Sequence, residues 1–544
     1  MRDYLTQVAQ AYYDYLVSAN KGVQDIELLS TSQENNIFIF NLKQKIFSLD
    51  CIVFESPDFS ISFDDEQIVD KRYHEELRRL EIQVSDMLAL RFKEAISAKK
   101  LRIYSNLRFL VLKLKDFFTE QDIVFPTKKP SFTITPNPKL APPQQKALEG
   151  LLNSTISYIW GPPGCGKTQF VLFEALLHYI QQDKKVCVLA PTNNALEQIL
   201  RTLVAKMDTL GIDRGKILRL GTPTLNFMQS FEDICDPYIM KQKKQDLFSS
   251  SLDPKARYQE AQIFAMTMDG FIRRYGSLQT KFAHIFLDEG AFTPLIKALA
   301  ICVDNTPLTI LGDHKQLTPI CEMEERHMHG EFEKMKLWNF SALFLEDFFF
   351  DKSLLQKSTT ATPSFSQTQV FKLNQTYRYG SNLAQILNQS IYRMSEGLQG
   401  TGEPTQIYFI DAPRIPSDGD MTSEQEAREI YRLTRELREG YAIITPFKKQ
   451  REMIMRQGIA PYLVMTIHAS QGQEFDTIIF SPVKLHYHLT DSNKNEALYA
   501  LNVAISRLKK TLILVCDYRY WIRQEGQFLT QLLKQATPYP RKIL

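Results

Sequence analysis

The sequence predicts an α/β protein with two parallel-sheet units in tandem, preceded by an N-terminal accessory region of short strands and a long helix. The sheets are read from short apolar runs that alternate with helical patterns from residue 154 onward, as buried parallel strands and their crossover helices do. The runs fall into two groups, enough for two sheets. The accessory region is set apart by the stretch VFPTKKPSFTITPNPKLAPPQQ, whose Pro126, Pro130, Pro136, Pro138, Pro142 and Pro143 permit neither a helix interior nor a central strand.

Bulk properties agree with a multidomain globular chain. At 544 residues it exceeds what one hydrophobic core serves, and 44% hydrophobic with 23% charged residues is ordinary for folded proteins. A net charge of +3 gives no global basic field, so any polyanion contact must be local. The seven cysteines are scattered and never form C-x-x-C, which speaks against a disulfide framework, a zinc finger or an iron–sulfur cluster and fits a reducing compartment. No apolar run reaches the roughly 18 to 20 residues of a membrane span, and the first residues lack a signal-peptide core. A soluble intracellular protein, cytoplasmic or nuclear and without a membrane partner, is expected.

Taken in order, residues 1–125 open with an amphipathic helix in MRDYLTQVAQAYYDYLVSANK. Alternating runs NIFIFNL, DCIVFES and FSISF follow, then a charged segment over 65–100 whose apolar residues recur at helical spacing. A first unit is expected over 126–350, with strands in STISYIW, KVCVLAP, HIFLDEG and LTILGD. Residues 351–368, rich in Ser and Thr, read as a loop or linker, and the aromatic run FLEDFFFD (344–351) as a core helix. A second unit is expected over 369–544, with strands in YAIITP, LVMTIH, DTIIFSP and TLILVCD.

The chemistry centres on Gly161-Pro162-Pro163-Gly164-Cys165-Gly166-Lys167-Thr168, which fits G-x-x-x-x-G-K-[ST]. It lies between a strand pattern and a helix pattern, so backbone N–H groups and a helix N-terminus would converge on phosphate oxygens. Lys167 would reach the β and γ phosphates and Thr168 would bind Mg²⁺. Such a loop needs a carboxylate at the end of a neighbouring strand, and HIFLDEG supplies Asp288 for the metal and Glu289 as base for an attacking water.

Five further segments, LGDHKQLTPI, LNQTYRYG, AIITPFKKQ, TIHASQGQEFD and LNVAISRLKK, follow in order, with APTNNALEQI behind the phosphate loop. Over roughly residues 140–520 this series resembles the motifs of superfamily 1 helicases, most closely the branch that includes the nonsense-mediated-decay RNA helicase. The resemblance implies two RecA-like units and an ATP- and Mg²⁺-dependent monomer that moves 5′ to 3′ on single-stranded RNA or DNA. It implies that Gln144, with Gln145 as the alternative, grips adenine; that Tyr377, Gly472 and Glu474 contact nucleotide; that Gln316 senses the γ phosphate; and that Arg378 and Arg507 act as arginine fingers. Thr192, Asn193, Asn194, Pro446, Phe447, Thr466 and His468 match positions that touch the strand. For residues 1–125 it implies a small barrel with stalk helices, a scaffold or dimerisation module being the alternative.

Three positions depart from the family pattern. Cys165 replaces a common Thr, Phe292 replaces a Gln near the hydrolytic water, and TIHASQG lacks the more frequent aspartate. The change at Phe292 motivates a second reading, an ATP-gated nucleic-acid clamp without processive movement. A kinase or other small-molecule P-loop enzyme fits less well, because it needs neither two arginine fingers nor the strand-contact series.

Overall fold

The computed structural model describes all residues except 1, 44–45, 47–48, 64–66, 75–76, 131, 133–136, 238–253, 320, 340–367, 417 and 541–544. The aromatic run at 344–351 and nearly all of the expected linker at 351–368 therefore lie outside the described residues.

Seven parallel strands form the first sheet, in the spatial order Ile217–Arg219, Ile263–Thr267, Val186–Ala190, His284–Leu287, Leu308–Gly312, Ile156–Trp160 and Gln369–Lys372. Every residue of its middle strands is buried, which is why they read as continuous apolar runs: helices cover both faces. The second sheet has six parallel strands, in the order Val464–Thr466, Tyr441–Thr445, Phe475–Phe480, Leu508–Cys516, Gln406–Asp411 and Thr537–Pro538. A parallel pair, Gln375–Gly380 with Gln399–Gly402, lies beside it.

The edge strand Gln369–Lys372 belongs to the first sheet, although the sequence placed residue 369 at the start of the second unit. It pairs with Ile156–Trp160 and lays Phe371 over helix Pro142–Leu151 at Gly150, where a Cβ would come within 1.9 Å of the ring. Glycine at 150 is what lets the returning strand seat.

The accessory region departs from its reading at one place. The segment over 65–100, expected as a long helix, is the antiparallel pair Ile68–His74 and Arg79–Val84 followed by a helix of 12 residues, Asp86–Ser97. Leu80, Ile82 and Val84 are buried in strict alternation, a period of two that the surrounding charges obscured. Two four-stranded antiparallel sheets enclose one apolar core with this helix. Helices Arg2–Ser18 and Leu107–Glu120 pack together beside them. The first docks on the large unit through Tyr12, whose hydroxyl accepts from the Glu322 N–H at 3.0 Å and whose ring stacks on Trp338 at 4.4 Å.

At the carboxyl end of the second sheet Glu426 is fully buried. Its Oε2 accepts from Ser481 Oγ at 2.5 Å and from the Val483 N–H at 3.3 Å, while Oε1 has no partner among the described residues. Burial pushes this carboxyl up to about 8. An unfolded glutamate releases its proton near 4.5, so the folded form binds the proton more tightly, and stability is full below that pH and declines as pH rises toward 8. The decline is at most about 1.4 kcal/mol per pH unit. Glu426→Gln, which keeps a neutral polar group, is expected to flatten it; thermal midpoints of both proteins across this range provide the check.

Candidate active site

Strand Ile156–Trp160 delivers the chain to Gly161, and the phosphate loop turns through Gly164 (φ 80°) and Gly166 (φ 78°). Only glycine adopts these angles without strain. A side chain at Gly166 would also collide with the Phe170 ring at 2.3 Å and Gln144 Nε2 at 2.9 Å. The helix behind the loop opens as a wide π turn over Lys167–Leu172 and continues as Phe173–Gln181.

Lys167 Nζ donates to the carbonyls of Gly161 at 2.5 Å and Pro162 at 3.3 Å. Thr168 Oγ1 donates to Asp288 Oδ2 at 2.5 Å, so the two expected Mg²⁺ residues already touch. Asp288 ends strand His284–Leu287; burial first, and the neighbouring Glu289 second, push its carboxyl up to about 6. Glu289 sits in the left-handed region at φ 53°, a strained backbone of the kind that clusters at functional sites. Cys165 is buried and its thiol is pushed up to about 12 by burial, so it is an inert packing residue.

Of the two candidate glutamines, Gln144 lies against the loop. Its Nε2 donates to the Cys165 carbonyl at 3.0 Å and its Oε1 accepts from the Ala141 N–H at 3.0 Å. Gln145 instead accepts from the Asn137 N–H and donates to Glu149.

Strand Gln375–Gly380 reaches the loop from the other side. Thr376 Oγ1 donates to the Pro163 carbonyl at 2.9 Å and the Tyr377 N–H to the Gly164 carbonyl at 2.9 Å. The 43% exposed Tyr377 ring sits 5.6 Å from Phe170. Arg378 donates to the Ser506 carbonyl at 3.0 Å and to Glu474, which follows Gly472 at φ 80°. Burial would raise the Glu474 carboxyl, but Arg378 and Lys509 outweigh it and hold it below its ordinary value. Arg507 is 4% exposed, its Nη2 donates to Gln316 Oε1 at 3.4 Å, and its Nε has no partner among the described residues. Burial, then the nearby Arg378, lower its pKa to about 10, which leaves it charged at neutral pH.

The expected strand contacts lie at the carboxyl ends of the sheets. Thr192 caps helix Asn193–Leu210, accepting from the Ala195 N–H, and Asn194 is exposed beside it. Asn193 Oδ1 is committed to Arg219 at 2.7 Å. Pro446 and Phe447 end strand Tyr441–Thr445 with both side chains buried, so neither can stack on a base; the Phe447 ring is covered by His486 at 5.5 Å. Thr466 is half-buried and His468 exposed, after strand Val464–Thr466.

Two family models, each described as an AAA domain, match residues 139–267 and 350–519, together more than half of the chain. The RNA helicase Mov10l1 of Mus musculus is 24% identical over 436 residues, covering 71% of this chain and 35% of that protein. Regulator of nonsense transcripts 1 of Dictyostelium discoideum is 25% identical over 222 residues, covering 37% of this chain and 16% of its own. This chain belongs to the superfamily 1 helicases. Within them it falls in the branch of the regulator of nonsense transcripts. A solved structure of the PRRSV helicase, 15% identical, overlaps it loosely, with a TM-score of 0.38 over 97% of this chain and 73% of that one. The chain spans about a third or less of the length of the curated relatives named here.

One group of residues in this helicase-family site escaped the sequence. Asp313, buried after strand Leu308–Gly312, accepts from Trp160 Nε1 (3.1 Å), the Lys315 N–H (3.1 Å), Gln316 Nε2 (3.0 Å) and the Tyr392 hydroxyl (2.8 Å). Asn502 Nδ2 then donates to the Tyr392 oxygen at 2.8 Å and to the Lys315 carbonyl at 2.7 Å. This buried chain ties the segment bearing Gln316 to helix Asn495–Ile505, which leads to Arg507. The only signal in the sequence was an aspartate closing an apolar strand three residues before Gln316.

Proposed function

We propose that the chain is an ATP-dependent motor on single-stranded nucleic acid, a helicase or translocase moving 5′ to 3′, whose hydrolytic site lies between its two parallel sheets. The observation that carries this reading is the meeting of Gln316, from the first sheet, with Arg507, from the second, beside the phosphate loop. Nucleotide and Mg²⁺ fit the residues present: a glycine cradle that a Cβ would fill, a Thr168–Asp288 pair in contact, and a buried guanidinium with an unmet donor.

In this reading Lys167 and the loop N–H groups bind the β and γ phosphates, and Thr168 and Asp288 would hold a Mg²⁺ ion, which would supply neutralisation of phosphate charge. Glu289 takes the proton of the attacking water. Arg378 and Arg507 stabilise charge developing on the transferred phosphoryl group. Both fingers come from beyond residue 369, so the γ phosphate is held only while the two units are closed. Its loss biases the cleft toward opening.

The ATP-gated clamp keeps support from Phe292, an apolar, half-buried side chain in the turn after Glu289. The deciding experiment measures ATP hydrolysis with and without single-stranded RNA or DNA, with Lys167→Ala as the blank, and displacement of a labelled strand from a tailed duplex. Polymer-stimulated hydrolysis with displacement is the expected result. Stimulation without displacement or directional movement would favour the clamp. Wild type and blank equally inactive with both polymers would overturn the reading.

A further inference from the structure

The loop after strand Phe475–Phe480 leaves the second sheet at its carboxyl end, where Pro446 and Phe447 also emerge. It is a heavily fixed segment. Ser481 and the Val483 N–H bind the buried Glu426, and Val483 holds φ 60°, a left-handed conformation strained for a β-branched residue. The Leu485 N–H donates to the Tyr520 hydroxyl at 3.1 Å. Thr490 Oγ1 donates to the Lys484 carbonyl at 2.7 Å and accepts from the His486 N–H at 2.7 Å. The N–H groups of Leu489, Thr490 and Asp491 all close on the His486 carbonyl.

On this braced loop Tyr487 points outward, 57% exposed. His488 meets it edge to face at 4.6 Å and Lys494 Nζ lies 5.0 Å from its centroid. His488 is itself paired with Glu496 at 2.9 Å, whereas no carboxylate among the described residues forms an ion pair with Lys494. His486, on the inward side, covers Phe447. The aromatic expected to face the strand is thus sealed beneath this loop, and the loop offers another in its place. A large ring held exposed by a strained, hydrogen-bonded loop contributes little to packing, while a base has an apolar face to match it and a phosphate to meet the ammonium alongside.

We propose that Tyr487, steadied by His488 and flanked by Lys494, is a stacking platform for one base of a single nucleic-acid strand, extending the strand path past Phe447. Stacking on a ring face does not read sequence, so the site takes any base. The platform rests on the single-strand reading proposed above.

The test is the affinity of the full chain for a labelled oligouridine and a labelled oligothymidine at fixed salt, comparing wild type, Tyr487→Ala, Tyr487→Phe and Lys494→Gln. Tyr487→Ala is expected to weaken binding about tenfold and Tyr487→Phe to retain it, because the ring face acts and the hydroxyl does not. Lys494→Gln is expected to lower the slope of log affinity against log salt by about 1. Thermal midpoints serve as the folding control for these exposed positions. Wild-type affinity in Tyr487→Ala, with wild type binding normally, overturns the platform alone. Failure of wild type to bind either oligonucleotide overturns the single-strand reading and the platform with it.

Discussion

Arg507→Ala is expected to lower kcat for ATP hydrolysis by about a thousandfold while changing nucleotide affinity little. The expectation comes from the state of the side chain. Arg507 is almost wholly buried, yet its best contact is a 3.4 Å hydrogen bond to Gln316 and its Nε is unmet among the described residues. A charge taken out of water with so little return is costly, and folds keep such a group where an anion completes it. Glu289 and Glu474 are close enough to favour the charged form, but neither forms a hydrogen bond to it. Charge growing on a phosphoryl group in transit would supply the missing partner, so the interaction is strongest in the transition state and its loss falls on kcat. Arg507→Lys should recover little, because an ammonium lacks the guanidinium fork. Steady-state kinetics with a separate titration of a non-hydrolysable analogue makes the check. A loss below about tenfold, or one confined to KM, would remove Arg507 from the reaction.

The second large effect concerns stability. Asp313→Ala strands three buried donors, from Trp160, Gln316 and Tyr392, and the half-buried Lys315 N–H, and is expected to cost about 3–5 kcal/mol, as breaking a buried charged network does. Tyr392→Phe removes a single hydroxyl that links Asp313 to Asn502, and about 1 kcal/mol is expected. Urea unfolding of both variants separates the two cases. A cost under about 1 kcal/mol for Asp313→Ala would mean that water replaces the carboxylate and that the network holds nothing together. If the network stands, Tyr392→Phe should also loosen the approach of Arg507 to Gln316 and reduce polymer stimulation more than basal hydrolysis.

All eight apolar runs read as strands from the sequence are strands, because buried parallel strands announce themselves locally through Val, Ile and Leu in unbroken succession. The phosphate loop was equally legible, being a contiguous motif. Elements that depend on distant partners were not. The pair Ile68–His74 and Arg79–Val84 carries Arg72, Arg79 and Glu81 on its outward face, and those charges imitated a solvated helix until pairing revealed the alternation. Gln369–Lys372 is mostly exposed and becomes a strand only because Ile156–Trp160 offers it an edge. The Asp313 network joins residues 79 and 110 positions apart, and no local pattern encodes it. Phe447 shows the converse: its place at the end of strand Tyr441–Thr445 was legible, but the burial of its ring against His486, a residue outside the motif, was not.

The docking of helix Arg2–Ser18 has a bearing on synthesis. Tyr12 finds its hydrogen-bond partner 310 residues further along the chain, so the helix leaves the ribosome long before its seat exists. Until Glu322 and Trp338 follow, its apolar stripe of Leu5, Val8, Tyr12 and Leu16 packs on helix Leu107–Glu120 without that seat. At translation rates of about 5–20 residues per second that interval lasts roughly 15 to 60 seconds. A nascent chain stalled within it would expose a sticky helical hairpin, a natural hold for a chaperone.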